Sequence, residues 1–328
     1  MVKVKKVSQL LIVIALTSAL LVACGNPSNN AAEKAVPTKE TVELATAEPE
    51  KTESATQLYK DWSGHEVNIP TNPQRVIFHG EVTGDIFALG VTPVGVLKQS
   101  GTSYDELLKP IEDVGFPINL EKSLGLKPDL IIFSNSDADQ YEKLTKIAPT
   151  VTYDSFSPLK DRLTELGVIL GKETEAAAWL QKYHTDRDAM WAELRKEEVK
   201  ENETATVFTM YPGNRLFVMA GAGLPQFLYE EGGFKPVAGV QKLIDEATGF
   251  LEISTETIGD YAGDRIFILN PTDASAEEET EAMMKTSLWS SLPAVEKGYV
   301  YNFDIEKASG DALARTWMLE ELPKALNK

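Results

Sequence analysis

The chain has 328 residues, 50 acidic against 32 basic side chains, and a formal net charge of −18. That excess of carboxylates argues against nucleic acid as a partner and against direct adhesion to anionic lipid, both of which need clustered Lys and Arg. Cys24 is the one cysteine, which excludes a disulfide framework.

In chain order, the first element is a leader. Lys3, Lys5 and Lys6 precede a mostly apolar run from Val7 to Ala23, interrupted by Ser8, Gln9, Thr17 and Ser18. A transmembrane helix takes about 20 strongly apolar residues; this run fits a secretory signal peptide over 1–23 instead. Leu21-Val22-Ala23-Cys24 resembles a bacterial lipobox. The resemblance implies cleavage before Cys24 and lipidation of its thiol, with the acyl chains as the membrane anchor. Residues 24–57 then read as the lipidated cysteine and a tether. They are rich in Ala, Glu, Thr, Pro, Asn and Ser, have no aromatic residue, and cannot bury a core.

From residue 58 short apolar runs alternate with helical patterns, the signature of an α/β fold. Strands are predicted at 75–80, 93–98, 126–134 and 150–154. A helix at 84–91 ends at Gly90. Another opens with Ser157 as N-cap and Pro158 at its first position, and closes at Gly171. These form an N-terminal α/β lobe, 58–172. Residues 173–200 contain no Pro or Gly, and Ala176, Leu180, Tyr183, Met190 and Leu194 fall on one stripe interrupted by Arg187. That predicts a rod of roughly 40 Å joining two lobes. A C-terminal α/β lobe, 201–328, follows. Its strands are expected at 204–211, 215–221, 264–270 and 298–304, with a short helix at 224–233 and a closing helix at 311–326, broken near Pro323.

In α/β sheets ligands bind beyond the carboxyl ends of the strands. That rule selects His79, Glu81, Lys98, Gln99, Ser134 and Asn135 in the first lobe. In the second it selects Tyr211, Met219, Asn270 and Phe303, with the loop Gly221-Ala222-Gly223. Arg215, in the turn between two strands, is a further candidate unless it faces solvent. For each, a capping, turn or core role is the competing reading. The three histidines, His65, His79 and His184, are far apart, which argues against a bare metal-ion site. Ser157-Pro158-Leu159-Lys160 matches the S-x-x-K of serine penicillin-binding enzymes, but no K-[ST]-G follows, and neither G-x-S-x-G nor a P-loop is present. The chain therefore reads as a binding protein rather than an enzyme, with a serine hydrolase of the penicillin-binding type as the remote alternative.

The segments HEVNIPTNPQRVI, DIFALGVTPVGV, NLEKSLGLKPDLIIFS, LTKIAPTV and SLWSSLPAVEKGYVYNFD run in order from about residue 60 towards the C-terminus. They resemble the substrate-binding proteins of ABC importers for ferric siderophores, haem and cobalamin. The resemblance implies a class III periplasmic-binding-protein fold: two Rossmann-like lobes, a single long rigid α-helix between them, and a ligand cleft between the lobes. It implies a monomeric lipoprotein on the extracytoplasmic face of the cell membrane that delivers its ligand to an ABC permease. One glutamate per lobe would dock on permease arginines; the matching positions are Glu121 and Glu256. No cofactor is implied, because a ferric siderophore already saturates its iron with oxygen ligands, so the protein needs apolar walls and a few orienting donors. Many hydroxamate binders of this family carry a Trp and an Arg where this chain has AGAGLPQ (220–226). A catecholate site would want several basic residues, and only Lys98 stands out. The expectation is a hydroxamate or mixed hydroxamate–citrate siderophore. Haem or cobalamin is the alternative within the same fold, and for haem His79, Met219 or Tyr211 would be the axial ligand.

Overall fold

Two sheets carry the fold, each grown from the apolar runs of one half of the chain. The computed structural model describes residues 55–271 and 273–327, so the signal peptide, Cys24 and most of the tether lie outside the described residues. The chain enters through an antiparallel hairpin, β1 (Thr56–Lys60) and β2 (Glu66–Pro70), with Thr56 opposite Pro70. Thr56 and Gln57, assigned by composition to the tether, are strand residues here, because pairing with β2 satisfies their backbone.

The first sheet is parallel throughout, in the order β5-β4-β3-β6-β7. Its strands are β3 (Val76–His79), β4 (Gly95–Val96), β5 (Glu112–Asp113), β6 (Leu130–Phe133) and β7 (Thr150–Thr152). Every residue of β3 and β6 is buried, as expected for parallel strands covered on both faces. The second sheet is mixed. It contains β8 (Thr204–Tyr211), β9 (Arg215–Met219), β10 (Lys235–Pro236), β11 (Phe250–Ile253), β12 (Arg265–Asn270) and β13 (Val300–Asp304). Its order is β11-β9-β8-β12-β13, with β10 also paired to β8. β12 is parallel to both β8 and β13, while β9 is antiparallel to β8 and β11. An aspartate pins each sheet at the start of a central strand. Asp129 accepts from the backbone N–H groups of Gln74 and Arg75 at 2.7 and 2.9 Å, and Asp264 from that of Thr204 at 3.0 Å.

Between the sheets runs the helix Glu173–Glu197, 25 residues or about 37 Å. The preceding helix, Leu159–Leu170, stops at Gly171 in the left-handed conformation (φ 65°), where a Cβ would stand 2.4 Å from the Thr71 carbonyl oxygen. Arg187 does not interrupt the buried stripe. It is itself buried and faces Glu230 at 3.7 Å. Trp191 packs edge-on against Phe234 (5.3 Å) and the Tyr183 hydroxyl donates to Glu230 (2.7 Å), so the helix is fixed to the second lobe. One apolar core runs through both lobes, from Ile69 and Leu163 past Trp191 to Phe267 and Leu322.

Three local expectations are corrected. The cap of Leu159–Leu170 is Pro158, whose carbonyl accepts the first helical N–H groups, while the Ser157 hydroxyl donates to Asp154 at 2.9 Å. The expected helix at 224–233 shrinks to Pro225–Leu228, because glycines follow and the Phe234 N–H bonds back to Leu228. The last helix, Ala312–Leu326, passes Pro323 unbroken and is capped by Asp311.

Candidate functional site

The carboxyl ends of β3, β4, β7, β12 and β13 converge between the lobes on a cleft of about 200 Å³. Glu81 follows β3, Gln99 follows β4, Phe156 follows β7 and Glu306 follows β13; Met219 closes β9 and Gln226 lies in the helix Pro225–Leu228. Gln226 donates to the Gly221 carbonyl (2.7 Å) and, across the lobes, to that of Phe156 (3.4 Å). This bridge separates the cleft from a flanking chamber of about 780 Å³ that reaches Lys160, His184 and Phe250. Together the two spaces reach the few-hundred-to-thousand Å³ range of small-molecule sites, which the cleft alone does not. A groove of about 640 Å³ between Glu173–Glu197 and the last helix lies at neither set of strand ends.

The floor of the cleft is a buried polar network tying the lobes together. Arg162 pairs with Asp85 at 2.7 Å, both fully buried, and donates to the carbonyls of Ser157 (2.8 Å) and Gly310 (2.7 Å). Asp85 also accepts the Ala312 N–H at 2.7 Å. Next to it, Asp311 accepts from the Tyr104 hydroxyl (2.8 Å) and the Ser309 hydroxyl (2.9 Å). Burial, and the nearby Asp85, push the Asp311 carboxyl above the usual range, while the hydrogen bonds oppose the shift. Arg315 completes the network through an ion pair with Glu230 and a bond to Gln226 (3.0 Å).

Of the sequence candidates, Glu81, Gln99 and Met219 line the cleft, as do Ala222 and Gly223 of the predicted loop. Tyr211 is not among the lining residues; it is 38% exposed and packs edge-on against Phe217 (5.5 Å), its phenol raised by burial and by the charge of Glu306. The others are placed differently. His79 is 3% exposed; its Nε2 donates to the Gly115 carbonyl (3.0 Å), its ring stacks on Phe116, and burial lowers its pKa. It is a neutral core residue whose Nε2 is already engaged, which removes it as a haem ligand in this conformation. Lys98 donates to the Ile111 carbonyl (3.3 Å). Ser134 closes the end of β6 through its N–H to His79 (2.8 Å), and Asn135 caps a turn at Asp137 (2.9 Å). Arg215 is exposed and bonded to Glu252 at 2.7 Å. The Asn270 carbonyl holds the Ile305 N–H (3.1 Å), and Phe303 is core against Phe267 and Trp317.

Sequence reading missed Phe156, Arg162, Gln226 and Glu306. Glu306 was within reach, three residues beyond Phe303 after a predicted strand. Arg162 had no signal, because a charged residue in an amphipathic helix reads as surface. Among the described residues no group of three or more His, Cys, Asp or Glu stands together as a metal site.

Residues 76–306 match the family model described as periplasmic binding protein. The iron(3+)-hydroxamate-binding protein FhuD of Bacillus subtilis is 29% identical, over 83% of this chain and 87% of its own length. The probable siderophore-binding lipoprotein YfiY of the same organism is 30% identical, over 83% of this chain and 88% of YfiY. Among solved structures, Staphylococcus aureus SirA complexed with staphyloferrin B is similar at a TM-score of 0.74 and 27% identity, covering 83% of this chain and 99% of SirA. The fold is that of a class III binding protein, and this chain belongs to the periplasmic binding protein family, a family of substrate binders and not of enzymes.

Proposed function

We propose that the chain is the extracytoplasmic receptor of an ABC importer, held at the membrane by lipid on Cys24, which captures a ferric siderophore of hydroxamate type and hands it to a permease. The observation that carries this reading is the cleft itself. It offers apolar walls (Met219, Phe156, Leu269) from both lobes and the amide of Gln99 as an orienting donor. Such a lining suits an iron that arrives already chelated. FhuD is named for iron(3+)-hydroxamate and YfiY for a siderophore, which supports this ligand class. The permease would meet Glu121 and Glu256, each exposed at a turn in its own lobe. Phe116 and Leu124, 70% and 61% exposed, lie near Glu121 in the chain as apolar surface a partner would cover. The test is uptake of radiolabelled iron from a ferric trihydroxamate by cells with and without the chain. Loss of uptake on deletion, restored by the wild-type chain but not by Cys24→Ala, is expected. Undiminished uptake without the chain refutes the role.

A further inference from the structure

The charge of the cleft narrows the ligand further. Among the described residues Arg162 is its one basic lining residue. Its guanidinium is fully buried, neutralised by Asp85, and occupied by the carbonyls of Ser157 and Gly310, so it presents no free charge to a ligand. Lys98 is directed to the Ile111 carbonyl instead.

Two carboxylates face the cavity, Glu81 from the first lobe and Glu306 from the second. Among the described residues neither forms an ion pair with Lys, Arg or His. Glu81 has one long contact, from the Ser155 hydroxyl at 3.3 Å. Glu306 has Asp304 and Asp105 near it; burial first, then these two like charges, raise its pKa. A cavity walled by protein and lined by one sign of charge focuses that potential on whatever enters.

Resting on the siderophore reading above, we propose that Glu81 and Glu306 select the ligand by charge, admitting a ferric trihydroxamate that carries a protonated amine and disfavouring anionic complexes. Three monoanionic hydroxamates neutralise iron(III), so the core of such a complex enters uncharged and a pendant ammonium reaches the carboxylates. Three dianionic catecholates leave a trianion, which meets two carboxylates in the cleft and no unpaired cation among its described lining residues, Lys160 lining only the flanking chamber. Polycarboxylate complexes meet the same obstacle.

The test compares dissociation constants of the intact protein for ferrioxamine B, whose terminal amine is protonated at neutral pH, and for its N-acetylated form. A ferric tris-catecholate is titrated alongside. At low ionic strength the amine should bind about tenfold tighter than the acetylated complex, with the ratio shrinking as salt screens the pairing. In the double variant Glu81→Gln/Glu306→Gln the ratio should fall to about one. The ratio, unlike either affinity alone, is insensitive to a general weakening of the cleft. Equal binding of the two hydroxamates by the wild-type protein, or tighter binding of the tris-catecholate than of the acetylated complex, overturns the charge selection and leaves the siderophore reading standing. Failure of all three complexes to bind brings down both.

Discussion

Arg162 and Asp85 form one ion pair inside the first lobe with no access to water, and from it they reach the Gly310 carbonyl and the Ala312 N–H of the second. A buried pair of this kind adds little net stability over an apolar replacement, yet breaking it strands a charge at a cost of about 3–5 kcal/mol. Arg162→Ala should therefore lower unfolding stability by about that amount in urea titration; a loss below about 1 kcal/mol would mean that water reaches Asp85. His79 gives a prediction with a sign. Burial lowers its pKa, so the unfolded chain takes up the proton first as pH falls below the ordinary value of about 6.5. The stability that His79 contributes is complete above that value and is lost progressively below it. The urea midpoint should fall between pH 7.5 and 5.5, and fall less in His79→Gln, where a neutral amide still donates to the Gly115 carbonyl. Equal falls in the two proteins would refute the assignment. Neither role was legible in the sequence. His79 looked like a ligand because strand ends carry ligands, but the Gly115 carbonyl that captures its ring comes 36 residues later in the chain.

Among the elements, the proposed docking role of Glu121 and Glu256 can be separated from helix capping. Asn119, not Glu121, caps the helix Leu120–Gly125, accepting the Lys122 N–H at 2.9 Å. Ser254 caps the turn that carries Glu256, accepting its N–H at 3.2 Å. Both carboxylates are exposed, and the capping contacts persist without them. Glu121→Ala/Glu256→Ala should leave ligand affinity and Tm nearly unchanged while abolishing iron uptake. Wild-type uptake in the double variant would remove the docking role, and a large drop in Tm would return both residues to a structural one. Elements were the most legible level. Runs such as TATVFTMY and RIFILN are long, β-rich and bounded by turns, and their strands match the expectation closely. β10 and β11 were missed because two-residue and half-exposed strands are defined by their partners, not by their own pattern. The unbroken last helix shows tertiary packing overriding a local breaker: Leu322 and Leu326 on either side of Pro323 are both buried.

For the whole molecule, the decisive feature is how firmly the lobes are joined. The helix Glu173–Glu197 would lose backbone hydrogen bonds on bending, the core is continuous between the lobes, and Arg162, Asp85 and Tyr104 cross the cleft floor. Ligand capture should close the cleft by a few degrees, so X-ray scattering curves with and without ligand should nearly overlay; a clear contraction would contradict the rigid junction. Whether this cleft takes up chelated iron is decided by titrating the protein with a ferric trihydroxamate, its iron-free form and hemin, followed by calorimetry and by absorbance. Saturable one-to-one binding of the ferric complex, much weaker binding of the iron-free form and no Soret-shifted hemin complex are predicted. No heat from the ferric complex, or a tight hemin complex in its place, would rule out chelated iron as the ligand of this cleft.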